Sequence, residues 1–349
     1  MWFGTLCIIE EGMSAPSDPG FESQIEARLL EALVLPDPTA DDGSAVLLEA
    51  ARHLILAPGA KRARPRLARL FGRAVEAPLH GLLDISIAAE LIHTASLLHD
   101  DVVDQGTERR GQPTANIVWG NIAAVLSGDL ILSRAIQQLS DHPQAITATA
   151  VGCVAEMSKA ALLEVRARKR IDIPITHWKA IASGKTGSLF GWCGRAAALL
   201  ARDQEAAERF DQCGHEFGVA FQMADDLKDL TATGTNKTTY ADIRNQNPSY
   251  PLLYAANQSS AIRERIEHVW ENGAVSEAQA AEIGSAVLAS DAVPHTWSQI
   301  RKHLENAFAA LGPYADRPGT TELAHWASGL WKRFSDKPAP NILQEGIQS

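Results

Sequence analysis

The sequence predicts an all-α protein. Apolar residues recur at helical spacing through most of the 349 residues, in segments separated by polar or Pro- and Gly-containing breaks. The sequence shows no convincing alternation of apolar and polar residues of the kind that is typical of strands, and no convincing repeat. With 46% hydrophobic residues, a chain of this length can bury a sizeable core.

The predicted helices follow one another along the chain. Their ranges are 21–35, 43–56, a helix opening after the basic loop 58–65, 82–104, 117–140, 143–169, 176–201 and 204–230, with further helices between 252 and 334. Residues 1–20 are predicted to be a disordered leader, 21–335 one catalytic domain, and 336–349 a C-terminal tail. The apolar start, Met1 to Ile9, lacks a basic leader and meets Glu10 and Glu11, so we expect neither a signal peptide nor an integral membrane segment.

Charge and cysteine content exclude several functions. A net charge of −10 argues against a nucleic-acid surface. Four scattered cysteines (Cys7, Cys153, Cys193 and Cys213) include no C-x-x-C pair, which argues against a disulfide framework or a zinc site. We therefore expect a cytoplasmic protein.

Two acidic triplets with the same spacing each end an apolar helical segment. They are Asp100, Asp101 and Asp104, and Asp225, Asp226 and Asp229. Residues four apart, such as Asp100 and Asp104, lie on one face of a helix, where unpaired carboxylates repel each other. A hard cation such as Mg²⁺ takes oxygen ligands of this kind. One triplet is more often a solvated helix end, but two predict a metal cluster.

Seven basic residues are predicted to lie at the same cavity opening as the two acidic triplets. They are Lys61, Arg62, Arg64, Arg109, Arg110, Lys185 and Lys237. Together with the metal ions, these basic residues carry more positive charge than one diphosphate needs, which suggests two diphosphate substrates. Neutralising the charge of a departing diphosphate makes ionisation of a carbon–oxygen bond feasible. A cavity lined by Ala, Ser, Leu and Ile would shield the resulting carbocation from water.

A set of motifs carries a family resemblance. In order they are G-A-K-R-A-R-P, L-I-H-T-A-S-L-L-H-D-D-V-V-D, R-R-G-Q-P-T-A-N, S-G-D, G-K-T-G-S-L-F and F-Q-M-A-D-D-L-K-D. Over residues 25–260 the chain resembles the trans-polyprenyl diphosphate synthase family. The resemblance implies the isoprenoid synthase fold, a single antiparallel helix bundle around a central cavity, usually in a homodimer. It also implies head-to-tail condensation of isopentenyl diphosphate with an allylic diphosphate, using Mg²⁺, three ions per active site.

The resemblance also implies roles for individual residues. Both triplets would bind Mg²⁺, the first together with the allylic diphosphate. Lys61, Arg64, His93 and Arg110 match the isopentenyl diphosphate site. Arg109, Lys185 and Lys237 match positions that hold the allylic diphosphate, and Thr186 and Gln222 match residues near the reacting carbons. Without the motif, His93 on an apolar helix would be read as a core histidine.

The chain departs from the family pattern at two places. The lysine expected at position 247 is Asn247, and the Gly-Glu pair expected near 160 is Ala160-Ala161. Both changes put rate and substrate choice in question.

Product length is predicted from the first acidic helix. The residues below Asp100 are small or aliphatic, with no aromatic between Asp84 and His99: Ser96, Ala95, Ile92, Ala89 and Ala88. In the family, a bulky aromatic here usually closes the cavity, so we expect products of C20 or longer unless Trp119 blocks the path.

Two alternatives stay open from the sequence. A class I terpene cyclase on this fold is disfavoured by the retained isopentenyl site residues, and a non-catalytic regulatory subunit is disfavoured by the intact aspartate motifs.

Overall fold

The structure, a computed structural model, describes residues 19–34, 43–57, 60–231 and 240–335. The predicted tail and most of the predicted leader lie outside these ranges, although Pro19 and Gly20 already belong to the first helix. Lys237 also lies outside them, so its predicted role stays a prediction.

The described chain is α-helical, as predicted. The helices are α1 Pro19–Ala32, α2 Ser44–Ile55, α3 Ala63–Ala74, α4 Leu79–Val103, α5 Ala115–Gln138, α6 Gln144–Ala167, α7 Ile175–Ala182, α8 Ser188–Leu200, α9 Gln204–Thr231, α10 Ala241–Arg244, α11 Tyr250–Gln258, α12 Ser260–Glu271, α13 Glu277–Leu288, α14 Ala292–Ala310 and α15 Pro318–Ser335. A π-helical turn, Ser183–Gly187, joins α7 to α8. Within the described ranges the strands are limited to a two-residue antiparallel hairpin, β1 Glu108–Arg109 and β2 Gln112–Pro113.

The described residues form two compact units. The first comprises those that fall within 1–155, 189–211 and 311–326, and the second those that fall within 156–188, 212–310 and 327–349. The prediction of one catalytic domain over 21–335 stays a prediction.

Helix α4 is the centre of the first unit and packs against α1, α2, α3 and α5. It is apolar almost all round because most of its faces are buried, including Leu82, Leu91 and Leu98 with no exposed surface. At its start the buried carboxylate of Asp84 accepts from Gln138 at 2.6 Å and lies 2.6 Å from Arg28. These bonds fix α1 and the end of α5 to α4, which carries the first aspartate motif at its other end.

The second unit is built around the later part of α9 and α11. Its core includes Met223, Leu227, Leu253 and Ile283, all at most 1% exposed. Burial of Trp270, whose indole N–H donates to the carbonyl of Ile243 at 3.1 Å, fixes the segment that follows α10. The second aspartate motif and the residues after it are therefore held on one packed core.

Three described helices, α4, α5 and α6, are long and apolar enough to cross a membrane by length and composition alone. Each helix contains an apolar window of 18 residues. The buried share of that window is 83% in α4, 33% in α5 and 28% in α6. Burial accounts for the apolar character of α4. The expectation of no integral membrane segment rested on the N-terminal residues and stays a prediction.

Candidate active site

The first aspartate motif ends α4 in the first unit. Asp100 and Asp101 belong to the last turn of the helix, and Asp104 follows its last residue, Val103. The N–H of Asp104 donates to the carbonyl of Asp100 at 2.8 Å, so the helical path extends to Asp104. Asp100 and Asp104 are thus one turn apart, as their spacing predicts.

Arg109 is bound to the buried carboxylate of this motif. Its Nε donates to Oδ1 of Asp101 at 2.8 Å, and its Nη2 lies 2.7 Å from the same oxygen. Burial raises the pKa of Asp101, and the hydrogen bond from Arg109 opposes that rise. The hairpin turn, with positive φ at Arg110 and Gly111, returns β2 toward α4. Arg109 therefore has a partner in the predicted metal motif itself.

The predicted isopentenyl diphosphate ligands lie in the same unit. Burial lowers the pKa of His93 well below its usual value, and the charges of Arg64 and Arg110 lower it further, so the ring stays neutral. The Nε atom of Arg64 is buried and makes no hydrogen bond within the protein. A buried guanidinium donor without a partner is a candidate seat for an anion. Lys61 is exposed.

Glu90 is a buried carboxylate that the sequence analysis did not select. It is 4% exposed and lies one turn before His93 on α4. Burial raises the pKa of Glu90, while the nearby charges of Arg64, Arg62 and Arg110 lower it. The sequence feature that could have identified Glu90 is a single carboxylate within an otherwise apolar helical segment. The site in this unit is therefore a set of cations grouped around one buried acid.

Arg62 is engaged elsewhere. Its guanidinium donates to both carboxylate oxygens of Glu26 on α1, at 2.6 and 2.9 Å, and to the carbonyl of Ile55 at 2.9 Å. The structure therefore gives Arg62 a partner outside the cationic group, which ties the basic loop to α1 and α2.

In the second unit a row of hydrogen bonds joins three predicted site residues. Thr186 donates its hydroxyl to Oε1 of Gln222 at 3.1 Å, and Nε2 of Gln222 donates to Oδ1 of Asp226 at 3.0 Å. The other carboxylate oxygen of Asp226 accepts from the backbone N–H of Tyr250 at 2.9 Å. The amide of Gln222 thus has one orientation, with its oxygen toward Thr186. Burial raises the pKa of Asp226 to about 7.

Asp229 has a structural partner that spacing did not predict. Its carboxylate oxygens accept the backbone N–H groups of Ala241 and Asp242 at 2.9 and 3.0 Å, which caps the start of α10. Its predicted role as a metal ligand stays a prediction. Asp242 adds a further carboxylate near Asp226 and Asp229, and burial raises its pKa well above the usual value.

Asn247, where the family pattern expects lysine, donates its side-chain N–H to Oδ1 of Asp242 at 3.1 Å. It lines a small pocket, open to solvent, with a cavity volume of about 30 Å³. The lining residues, all in the second unit, are Glu164, Ala167, Trp178, Ile181, Ala182, Lys185, Gln222, Asp226, Asn247 and Pro248. Its wall combines apolar side chains with charged and amide side chains, which offer hydrogen-bonding and ionic partners to a polar ligand.

Lys185 and Glu164 form an ion pair at this pocket. The side chains are 26% and 21% exposed, so water screens the pair only in part. Glu164 lies on α6, 21 residues before Lys185. Because no helical or strand spacing brings residues 21 apart into contact, the sequence did not predict that Glu164 pairs with Lys185. The predicted diphosphate ligand Lys185 is therefore already paired with a carboxylate.

The carboxylates of both motifs fit a divalent metal by their chemistry. Among the described residues no three Asp, Glu, His or Cys side chains are arranged to hold a metal ion. The donors are nonetheless carboxylate oxygens, and the raised pKa values of Asp226 and Asp242 reflect crowded, poorly solvated acids. A divalent cation would stabilise their charged forms.

Comparisons with known proteins identify the family of this chain. Residues 44–287 match the family model of polyprenyl synthetases. An octaprenyl diphosphate synthase from Haemophilus influenzae is 36% identical over 235 residues, which cover 64% of this chain and 70% of the relative. The structure of a decaprenyl diphosphate synthase from Rhodobacter capsulatus matches with a TM-score of 0.81 and 25% identity, covering 90% of this chain and 97% of the other.

A further solved structure is a polyprenyl synthase from Caulobacter crescentus complexed with calcium and isoprenyl diphosphate. It matches with a TM-score of 0.80 and 25% identity, covering 91% of this chain and 99% of the other.

The chain therefore has the all-α isoprenoid synthase fold and is a prenyl-transferring enzyme. It belongs to the polyprenyl synthetase family, and its class is trans-polyprenyl diphosphate synthase.

Proposed function

We propose that this enzyme condenses isopentenyl diphosphate head-to-tail with an allylic prenyl diphosphate to give an all-trans product of C20 or longer. The observation that supports this most is the cationic group in the first unit. There a buried, unpartnered Nε of Arg64 lies with a neutral His93 in the same unit as an intact aspartate motif. An enzyme with a single diphosphate substrate has no need of both features.

Among the described residues, two buried guanidinium nitrogens lack a hydrogen-bond partner and could bind an anion. Besides Arg64 in the first unit, the Nε of Arg244 in the second is buried without a hydrogen bond, close enough to Asp229 to lower the pKa of that carboxyl. We assign Lys61, Arg64, His93 and Arg110 to isopentenyl diphosphate. We assign Arg109, Lys185 and Lys237 to the allylic diphosphate, with Arg244 as a neighbouring charge.

We propose that three Mg²⁺ ions bind the two motifs, through Asp100, Asp101, Asp104, Asp225, Asp226 and Asp229. The calcium and isoprenyl diphosphate in the Caulobacter relative support a divalent cation beside such a substrate. When bound, the ions neutralise charge on the departing diphosphate. Crowding among Asp226, Asp229 and Asp242 favours such an ion.

The side chains of the second unit position the reacting end of the substrate. The hydroxyl of Thr186 and the oxygen of Gln222 have fixed directions because Gln222 is bonded to Asp226. Oxygen atoms aimed at a developing positive charge stabilise it. Ala167, Ile181 and Ala182 supply the apolar part of the same pocket.

Product length follows from α4. Ala95 and Ile92 are each 2% exposed, and Ala88 and Ala89 are fully buried, so this face offers small side chains within the first unit. Trp119 packs edge-on against His53 of α2, with ring centroids 5.2 Å apart. The named products of the Haemophilus and Rhodobacter relatives, octaprenyl and decaprenyl diphosphate, support a long product here.

We further propose a cytoplasmic homodimer. Apolar side chains on α5 are exposed in the single chain, with Ile122 at 79%, Ile117 at 55%, Val118 at 49% and Leu126 at 48%. Large apolar side chains exposed in such number on one segment are typical of a protein interface. Light scattering at micromolar concentration should show a dimer, and Ile122→Glu should shift it toward monomer.

The proposed reaction is tested with purified protein, Mg²⁺, labelled isopentenyl diphosphate and a panel of allylic primers, followed by chromatography of the products. All-trans chains of C20 or longer support the proposal. A cyclic hydrocarbon would favour the cyclase, and absence of any product with every primer would favour a regulatory subunit.

A further inference from the structure

The π-helical turn Ser183–Gly187 carries both Lys185 and Thr186. A π-turn is rare and lacks the regular bonding of an α-helix, so contacts from outside the turn help to maintain it. Here such contacts come from one face of α9, at His215, Gly218 and Gln222.

The three positions follow the spacing of one helical face. His215 Nδ1 and the hydroxyl of Ser183 are hydrogen-bonded at 3.2 Å. One turn later α9 presents Gly218 to the turn, where an added Cβ would lie 2.5 Å from Cα of Gly187. This contact is backbone on backbone and requires glycine at position 218, and an added Cβ on Gly187 would lie 3.0 Å from the carbonyl oxygen of His215.

The opposite side of the turn meets α6. An added Cβ on Gly184 would lie 2.7 Å from Cβ of Ala160. The departure from the family pattern at Ala160 therefore lies against the turn, and the two glycines of Gly184-Lys185-Thr186-Gly187 are explained by packing on both sides.

We propose that His215 and Ser183 are positioning residues, whose hydrogen bond holds the π-turn in the register that directs Lys185 and Thr186 to the substrate. This inference rests on the proposed function. The bond joins the first residue of the turn to α9, and the bond from Thr186 to Gln222 joins the fourth residue to the same helix. If the bond between His215 and Ser183 is lost, the turn is still bonded to α9 through Thr186, but its first residue is no longer held.

The test compares Ser183→Ala, His215→Ala and their double variant with wild type. Asn at position 215 keeps a polar atom near the position of Nδ1, so His215→Asn is the conservative variant. His268→Ala, at an exposed histidine on α12, is the matched control. We measure amide exchange of residues 180–190 by mass spectrometry, and kcat and KM with isopentenyl diphosphate and a C15 allylic primer.

Both alanine variants should exchange faster across the turn, and each should lower kcat/KM for the allylic primer by about three- to tenfold, the range of one hydrogen bond. The double variant should be no worse than the singles, His215→Asn should recover most of the loss, and KM for isopentenyl diphosphate should stay within about twofold.

Unchanged exchange, fully additive losses, or an Asn variant as poor as alanine would overturn the proposal. Because exchange is measured without substrate, it still decides the role of His215 if the wild type proves inactive. Such inactivity would count against the proposed function alone.

Discussion

Arg109 binds Asp101 through two nitrogens that share one carboxylate oxygen, Nε at 2.8 Å and Nη2 at 2.7 Å. Asp101 is almost fully buried at the end of α4, where its own burial and the charges of Asp100 and Asp104 raise its pKa. Arg109 is therefore the group that keeps the buried member of the first motif available in its charged form.

Arg109→Gln should move the acid limb of the kcat/KM profile to higher pH. Loss of the guanidinium removes the interactions that lower the pKa of Asp101, so a higher pH is needed to ionise it. Arg73→Gln, which breaks an exposed ion pair with Glu322 in the same unit, is the control. A lower rate with an unmoved acid limb would show that Asp101 does not limit activity at low pH.

Asp100→Asn and Asp225→Asn should each reduce turnover by about a hundredfold or more while far-UV circular dichroism stays unchanged, because each removes a charged ligand that we assign to a cation. Asp141→Asn, at an exposed aspartate outside both motifs, should retain activity. Near-normal turnover of either motif variant in Mg²⁺ would contradict the metal-cluster assignment.

Most of the fold was accessible from the sequence because helix formation depends on local spacing. The long apolar segment predicted at 82–104 is α4, and the segment predicted at 176–201 is α7, the π-turn and α8. The π-turn within the latter is contacted by α9, and no local sequence pattern contains those contacts.

The partners of the site residues were less predictable. Glu164 is 21 residues from Lys185, and Asp229 caps a helix that begins 12 residues later. Such pairs depend on how the chain folds back on itself. The motifs predicted a set of site residues but did not show that Arg109, Asp229 and Lys185 already have protein partners.

Asn247→Lys should lower KM for the allylic substrate. Asn247 lines the pocket with Lys185 and donates to Asp242, so a lysine there would place a new cation beside the predicted diphosphate site. A well-placed charge-assisted bond contributes about 1.5–3 kcal/mol. Asn245→Lys, at the exposed residue two positions earlier, controls for net charge. An equal effect of both variants would indicate general electrostatic attraction instead.

Ala95→Phe combined with Ser96→Phe should shorten the product. Ala95 is 2% exposed and Ser96 half-buried, so two phenyl rings would obstruct the face of α4 that we assign to the growing chain. Each added isoprene unit otherwise buries five carbons, favourable by roughly 0.8 kcal/mol per CH₂ group. Chromatography should show C20 or longer for wild type and a shift toward C15 for the variant. A wild type that stops at C15 would place the closed end of the cavity elsewhere.

The metal-free protein should lose stability as the pH rises from about 4 to about 7. The folded-state pKa of Asp226 is raised to about 7, so over this range the native state binds more protons than the unfolded state and its stability falls with pH. Asp226→Asn should flatten this dependence in urea titrations with chelator. An equally steep dependence in the variant would assign the effect to other acids, such as Asp242 or Glu90.

Release of inorganic diphosphate from the allylic substrate shows whether the enzyme uses two diphosphate substrates. With Mg²⁺ and an allylic diphosphate, release should require isopentenyl diphosphate and should equal the number of isopentenyl units incorporated. Release at the same rate without isopentenyl diphosphate, accompanied by a cyclic or hydrolysed product, would contradict the account.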